Sequence, residues 1–428
     1  MHQMQSESRR YNPSLREIDT RVLEYFKQFP PRPQDDIYQQ ALFQARKDFT
    51  IPKQRIRHVN DVIRHYPHPD RSPGLPYTRQ GIRRKADVDT NLIRWNIHKI
   101  KYQQVTRFKV PCTAAVKTVV STKDKFRLVW VYPTDMTMME GMFAQPLIRA
   151  YNHLFDTPYA IWFRWHKGHM KHLNQKISPG SRWLGVDYSA FDVNVPAWLI
   201  RDAFSILRDQ LDFTRYEFYG VPTDLNTIDV MWKEVIRYFI NTPIKLKSGR
   251  VVVKRSGVPS GSYFTNLVDS VCNCIMTHYL LKTLNIQYYQ RYFMGDDGLI
   301  RIRGDFSLEQ YAALAERVFG CKINPDKSEV GQFVHWLGYK LGPNYPVIDL
   351  QKAIDQILNP SKPDKYNTDI LVRSRAIFIS NFCDPGLRRI LEEADLLADI
   401  RREYRCDALE KLNYLGLSLS DHNVRLRV

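Results

Sequence analysis

No apolar stretch of the sequence is long enough to cross a bilayer, and no basic helix has a clean apolar back face, so a membrane is not an expected partner. The opening residues, MHQMQSESRRYNP, lack the apolar core of a secretory leader. Cysteine is scarce. Cys112, Cys272, Cys274, Cys321, Cys383 and Cys406 follow no disulfide framework, and Cys272 and Cys274 stand too close together for a zinc pair. Reduced thiols in a cytoplasmic setting are therefore expected. Low-complexity tracts, internal repeats and any helicase, capping or protease signature are missing as well. Acid is also in short supply: 45 Asp and Glu stand against 63 Lys and Arg, a formal net charge of +18. That imbalance calls for a polyanion, and with a membrane set aside the expected partner is nucleic acid.

The 428 residues, 43% hydrophobic and 12% aromatic, are enough for several subdomains around a substantial core. Ser14 and Glu17 form a capping box ahead of a helix lined by Leu15, Ile18, Val22 and Phe26. Pro30, Pro31 and Pro33 break it, and Ile37, Ala41, Leu42 and Ala45 suggest a second helix. Residues 50–130 interleave Arg and Lys with Pro, Gly and aromatics, a texture suited to phosphate contacts. The middle alternates strands and helices: the β-prone RWLGVDY, then SGRVVVKRSG, a helix through 263–283, a hairpin, a helix from Leu308 to Phe319, and short strands near Ile323 and Leu337. The tail reads as helical, LRRILEEADLLADI most clearly. His166, His169 and His172 have no cysteine or carboxylate to complete a metal site and are expected to be solvated or to face nucleic acid.

The chemistry is concentrated in three segments. In QYYQRYFMGDDGLIRIRG, a hairpin carries Asp296 and Asp297 at its tip. Adjacent acids at a turn repel each other unless a cation joins them, and Mg²⁺ is the natural choice. By itself GDD is weak, since roughly one chain in ten of this length holds it by chance. In GVDYSAFDV, Asp187 ends a buried strand and Asp192 follows after four residues. Phosphoryl transfer needs carboxylates that hold two metals ~3.5–4 Å apart, and a strand-end acid facing a hairpin-tip acid builds that clamp. In GVPSGSYFTNLVDSVCN, the loop of Gly257, Pro259 and Gly261 precedes a helix, Ser260 and Thr265 supply hydroxyls, and Asn266, Asp269 and Asn273 form one polar stripe. Flanked by the two acid sites, that stripe suits a surface that reads sugar.

In this order, D-x₄-D, SG-x₃-T and GDD resemble motifs A, B and C of viral RNA-dependent RNA polymerases, with wording closest to those of partitiviruses. RSPGLPY (Ser72, Gly74, Pro76) is similar to motif G along the template entrance. KDKFRLVWVYP (Lys123, Lys125, Arg127) is similar to the basic motif F over the incoming triphosphate. GCKINPDKSEV resembles motif D, with Lys327 at the place of a proton-donating lysine, and HWLGYKL (Leu337, Gly338) resembles motif E, the primer grip. The likeness runs from about residue 70 to 341. Many positive-strand virus polymerases have asparagine where this chain has Asp269, so the 2′-hydroxyl contact falls either to Asp269 or to Asn273.

The resemblance implies an α+β right-hand polymerase with an antiparallel palm sheet backed by helices. N-terminal arm and fingers are expected over 1–178, palm over 179–200, a fingers or palm insertion over 201–249, palm again over 250–350, and a helical thumb over 351–428. It implies an RNA-directed RNA polymerase working with two Mg²⁺ ions, Mn²⁺ being a substitute. Asp187, Asp296 and Asp297 would hold metal, Asp296 more firmly than Asp297. Lys123, Lys125, Arg127, Asp192, Ser260, Thr265, Asp269 and Asn273 would hold the nucleotide, and Ser72, Gly74, Pro76, Gly261, Leu337 and Gly338 would contact template or primer. The implied partners are template and nascent RNA, NTPs and a separately encoded capsid protein, and the setting is the virion interior or host cytoplasm, where a double-stranded segmented genome is copied and transcribed. Two alternatives stand beside it. A reverse transcriptase usually has an aromatic residue at the place of Asp192, as a wall against ribose. A non-catalytic RNA-binding, capsid-associated protein would have no need of acids at two strand ends.

Overall fold

The structure, a computed structural model, describes residues 4–398 and 406–428. At its centre is an antiparallel sheet ordered Gln287–Met294, Asp297–Arg303, Ser181–Val186, Glu329–Gly331. Its strands alternate between two apolar faces, as a period of two dictates. Leu184, Val186, Phe293, Ile300 and Ile302 enter the main core, with Leu267, Val271 and Ile275 of helix Thr265–Thr283 and Tyr311 and Leu314 of helix Leu308–Phe319. Trp183, Tyr292 and Leu299 enter a second core, with Ile357, Ala376, Leu387 and Leu412 from the C-terminal helices. One sheet therefore joins two cores, and the acids lie at its end.

A second four-stranded sheet is ordered Val251–Val253, Pro243–Lys245, Cys112–Thr118, Phe126–Val131. The expected cut at 249/250 falls in the turn that joins the paired strands Pro243–Lys245 and Val251–Val253 and would divide one hairpin, and the cut at 200/201 would split helix Ala197–Arg208.

The N-terminal segment spans the molecule. Arg9 and Arg10 pair with Ser121 and Val120 of the second sheet's side. Ser6 and Ser8 donate hydroxyl hydrogens to Asp355 at 2.7 and 2.6 Å, and Arg10 Nε donates to Asn359 O at 2.9 Å. The capping box forms as expected, Glu17 N to Ser14 Oγ at 3.2 Å and Ser14 N to Glu17 Oε2 at 2.7 Å. That helix stops at Leu23, however, so Leu15 and Phe26 stay exposed while Ile18, Val22 and Tyr25 are buried. Helix Asp36–Asp48 follows the proline break. The tail helix expected from LRRILEEADLLADI runs only over Pro385–Glu393, because the chain turns at Asp395 with φ +54°; Ile400 lies outside the described residues.

All six cysteines are free thiols, five of them buried. The histidines differ from expectation. His166 is buried, with Nε2 at 2.9 Å from Ser380 O and its ring stacked on Phe382 at 4.4 Å. Burial drives its pKa down to about 4, so it is neutral core material. His172 pairs with Asp156 at 3.2 Å and His169 Nδ1 accepts from Arg164 N at 3.0 Å. Among the described residues no helix is long and apolar enough to cross a membrane.

Candidate active site

The GDD turn is a two-residue connection in which Met294 pairs with Asp297. Gly295 occupies the first central position at φ +64°, where a type II′ turn needs glycine. Helix Thr265–Thr283 holds this turn from beneath. Gly295 N donates to Ser270 Oγ at 2.8 Å, and Asn273 Nδ2 donates to Gly295 O at 3.1 Å and Asp296 O at 3.0 Å. Asn273 is buried, and its Oδ1 accepts from Thr277 at 3.3 Å. Its expected place on the nucleotide is thus corrected: its amide is spent on the turn. Ser270, which no motif singled out, shares that work.

In the central ladder Gly298 faces Val186, so Asp297 and Asp187 stand opposite one another just past its end. Opposed residues of an antiparallel pair point to the same face. Asp187 is tied down by its backbone: its N donates to Ser328 Oγ at 3.0 Å and its O accepts from Asn324 N at 2.8 Å. This register gives no reason to rank Asp297 below Asp296. Partial desolvation among the crowded groups at this exposed turn, then the charges of Asp192 and Asp187, raise Asp296 to about 6. The same desolvation, then Asp296 and Asp187, raises Asp297 to about 7, with Arg127 opposing. Carboxylates crowded until they resist ionisation are a donor set that fits a hard divalent cation.

Asp192 is where the loop of Ser260 and the helix of Asp269 meet. Ser260 Oγ donates to Asp192 Oδ2, and Val258 N donates to the Asp192 carbonyl at 2.7 Å. Asp269 is buried beside it, with Oδ1 lacking a hydrogen-bond partner. Burial, then Asp192 and Asp296, push the Asp269 carboxyl well above its usual range. Thr265 does not face the nucleotide as expected. Its hydroxyl is directed at Pro259 O, 2.9 Å, and Ser262 O, 3.1 Å, and pins the loop.

That loop is fitted to the second sheet. Trp130 N donates to Ser260 O at 2.7 Å, and Gly261 sits at φ +135° where a Cβ would lie 2.0 Å from Trp130 O. Gly261 thus serves loop docking; no template contact is needed to explain it. Two buried residues that sequence reasoning missed complete the fit. Glu140 accepts from Ser262 Oγ and from Tyr263 N at 3.1 Å, and Lys254 donates to Phe239 O, Ile240 O and Gly257 O at 2.5–2.9 Å. Lys254 places its ammonium on the C-terminal carbonyls of helix Asn226–Ile240. A lone buried Glu or Lys in sequence carries no such signal.

Facing the acids are Lys125, Arg127 and Lys327, all exposed. Lys125 is lowered by partial burial, then by Lys327 and Arg127, so the three cations are close enough to repel one another. Lys123 is exposed on the same loop, with its N donating to Ser121 Oγ at 3.1 Å. Arg127 also lines a cavity of about 1110 Å³ between the second sheet and the C-terminal helices, with Lys117, Lys352, Lys362 and Lys411. Ser72, Gly74 and Pro76 lie on a loop tied to this wall by Thr134 N and Oγ1 donating to Pro73 O at 3.0 and 2.8 Å. Arg71 of that loop reaches the cavity. Leu337 and Gly338 turn between His335–Trp336 and Tyr339–Lys340 with φ of +47° and +87°, beside Met294 in a smaller cavity of about 250 Å³.

Among the described residues, the ligand atoms of Asp48, Cys274 and His278 gather within 4.8 Å. Arg291 already forms a forked pair with Asp48 there, so a guanidinium does the work of a cation. The aspartates lack such a partner, and like charges spread.

Comparison with known proteins agrees with this geometry. Residues 4–342 match the family model described as viral RNA-dependent RNA polymerase. An RNA-directed RNA polymerase of Cryptosporidium parvum virus 1 is 28% identical over 235 residues, 51% of this chain and 41% of that protein. One from white clover cryptic virus 1 is 25% identical over 253 residues, 52% of this chain and again 41% of the relative. The matches thus span about two fifths of these relatives' length. The crystal structure of a human picobirnavirus RNA-dependent RNA polymerase superposes with a TM-score of 0.68 at 16% identity, covering 89% of this chain and 73% of that one. Its insertion-loop deletion mutant gives 0.60. The fold is the α+β right hand, and the chain belongs to the viral RNA-dependent RNA polymerase family.

Proposed function

We propose that this chain is an RNA-directed RNA polymerase that copies and transcribes the segmented double-stranded RNA genome of a virus. The observation that carries the proposal is the opposition of Asp187, Asp296 and Asp297 at the palm strand ends to the cations Lys125, Arg127 and Lys327.

Asp187, Asp296 and Asp297 would hold two Mg²⁺ ions, or Mn²⁺, and these when bound supply charge neutralisation for attacking and leaving oxygens. Lys123, Lys125 and Arg127 bind the triphosphate of an NTP and orient its α-phosphorus toward the nascent 3′-OH. Asp192, oriented by Ser260, accepts a hydrogen bond from the ribose 2′-OH; a deoxyribonucleotide offers no such donor. Lys327 donates a proton to departing pyrophosphate. The basic cavity and the Ser72–Pro76 loop lead the template in, and the Leu337–Gly338 turn braces the primer strand. The capsid would be encoded separately, with the enzyme at work inside the virion or in host cytoplasm.

The test is nucleotide incorporation by purified protein given an RNA template, NTPs and Mg²⁺. Incorporation of ribonucleotides that is lost in Asp296→Ala, with the melting temperature retained, is expected. Preference for dNTPs would overturn the RNA polymerase assignment, and undiminished synthesis by Asp296→Ala would overturn the metal assignment.

A further inference from the structure

Helix Thr90–Lys101 buries Ile93, Ile97 and Ile100 and turns the opposite face outward. That face carries three rings in contact. Trp95, 51% exposed, lies almost parallel to His98, with centroids 5.5 Å apart and planes at 10°, and His98 meets Tyr102, 42% exposed, at 4.5 Å. Lys99 Nζ stands 5.4 Å from the Trp95 ring and Lys101 Nζ 5.5 Å from that of Tyr102. None of the three rings lines the cavity between fingers and thumb. Along the chain the charge here is of one sign: between Asp89 and Asp124 there are seven Lys and Arg and no acid.

We infer that this face is a binding platform for single-stranded RNA on the outside of the fingers, separate from the template path. Unpaired bases stack on exposed aromatic rings regardless of sequence, and the Lys99 ammonium beside them meets the phosphates, while Lys101 is held by the Tyr216 hydroxyl at 3.3 Å. Paired bases in a duplex keep their faces covered, so the platform selects single strands. A protein partner is the poorer match, because the cores of protein interfaces are depleted in lysine and this one is laced with it. The inference rests on the reading that the chain handles RNA, and it adds a holding site where an unpaired template or displaced strand stays with the enzyme.

The experiment measures anisotropy of a fluorescein-labelled single-stranded RNA of about 20 nucleotides, and of a blunt duplex of equal length, on the full chain and on W95A/Y102A. The rings are exposed, so the variant should melt with the parent. Loss of roughly tenfold or more in single-strand affinity, little change for duplex and recovery in W95F/Y102F are expected. Iodouridine in the same RNA should photocross-link to Trp95 or Tyr102. Single-strand affinity within twofold of the parent would overturn the platform, as would an equal loss for duplex, which would reduce it to charge. Loss of self-association with RNA binding intact would assign the face to protein. Extension of a short primed template, measured alongside, reports on the polymerase reading independently: it should be equal in parent and W95A/Y102A.

Discussion

Replacing Asn273 by aspartate changes one atom that matters, since the side chain keeps its shape and the donor to two carbonyls becomes an acceptor. In the parent, Asn273 Nδ2 reaches Gly295 O and Asp296 O at 3.1 and 3.0 Å. Each net hydrogen bond contributes about 1 kcal/mol, and a buried group left unpaired costs about 1–3 kcal/mol. Gly295 is buried and Asp296 exposed, so the first carbonyl bears most of the cost while water can re-pair the second. Asn273→Ala should therefore destabilise by about 2–3 kcal/mol. Asn273→Asp should cost at least as much, because an ionised side chain would oppose both carbonyls and add to the crowding that already raises Asp296 and Asp297. Ser270→Ala removes the acceptor for Gly295 N and should cost about 1 kcal/mol. Because Ser270 and Asn273 hold the same turn, the double variant should depart from additivity by about 0.5 kcal/mol or more. Thermal unfolding and nucleotide incorporation across a Mg²⁺ titration read both ends of the effect, with incorporation shifted to higher Mg²⁺. If Asn273→Asp melts and incorporates like the parent, the helix does not hold the turn.

Other outcomes follow from the same geometry. Since Asp297 stands opposite Asp187, Asp297→Asn should reduce incorporation about as severely as Asp296→Asn, and near-normal activity in the former would restore the ranking read from sequence. Gly261→Ala drives a methyl into Trp130 O, so the loop must leave the finger strand; incorporation should fall by orders of magnitude, and parental activity would refute the docking. Burial holds the Glu140 carboxyl protonated up to about 8, against an ordinary value of 4.5. The native state then binds more protons than the unfolded chain between those limits, so stability present at pH 4.5 is lost as pH rises through 8, at up to about 1.4 kcal/mol per unit. Glu140→Gln should flatten that slope in denaturation curves taken from pH 5 to 8, and parallel curves would refute the assignment. Chelation by EDTA should abolish incorporation, with excess Mg²⁺ or Mn²⁺ restoring it.

What the sequence showed depended on how local the physics was. The strand end at Asp187, the turn at Asp296 and the loop at Ser260 were legible as structure because each imposes a short spacing. The helices at 308–319 and 265–283 announced themselves by periodicity. Asn273 and Thr265 were placed near the right structure but assigned the wrong work, since only the folded chain shows which carbonyls need a donor. His166 looked solvent-facing because nothing local reveals Phe382 and Ser380, more than two hundred residues away, as its neighbours. The expected cut at 200/201 crosses a helix whose apolar face runs on through Leu207, and the hairpin around 249/250 joins its sheet through Cys112 and Thr113, partners more than a hundred residues away.

The segment of residues 6–10 joins the C-terminal helices at Asp355 and Asn359 to the strand of Val120 and Ser121, and Arg10 lines the cavity between them. That segment is a strap across the cavity: the C-terminal helices cannot draw away from the second sheet's side until the hydrogen bonds at Asp355 and Asn359 part or Arg9 and Arg10 leave their strand partners.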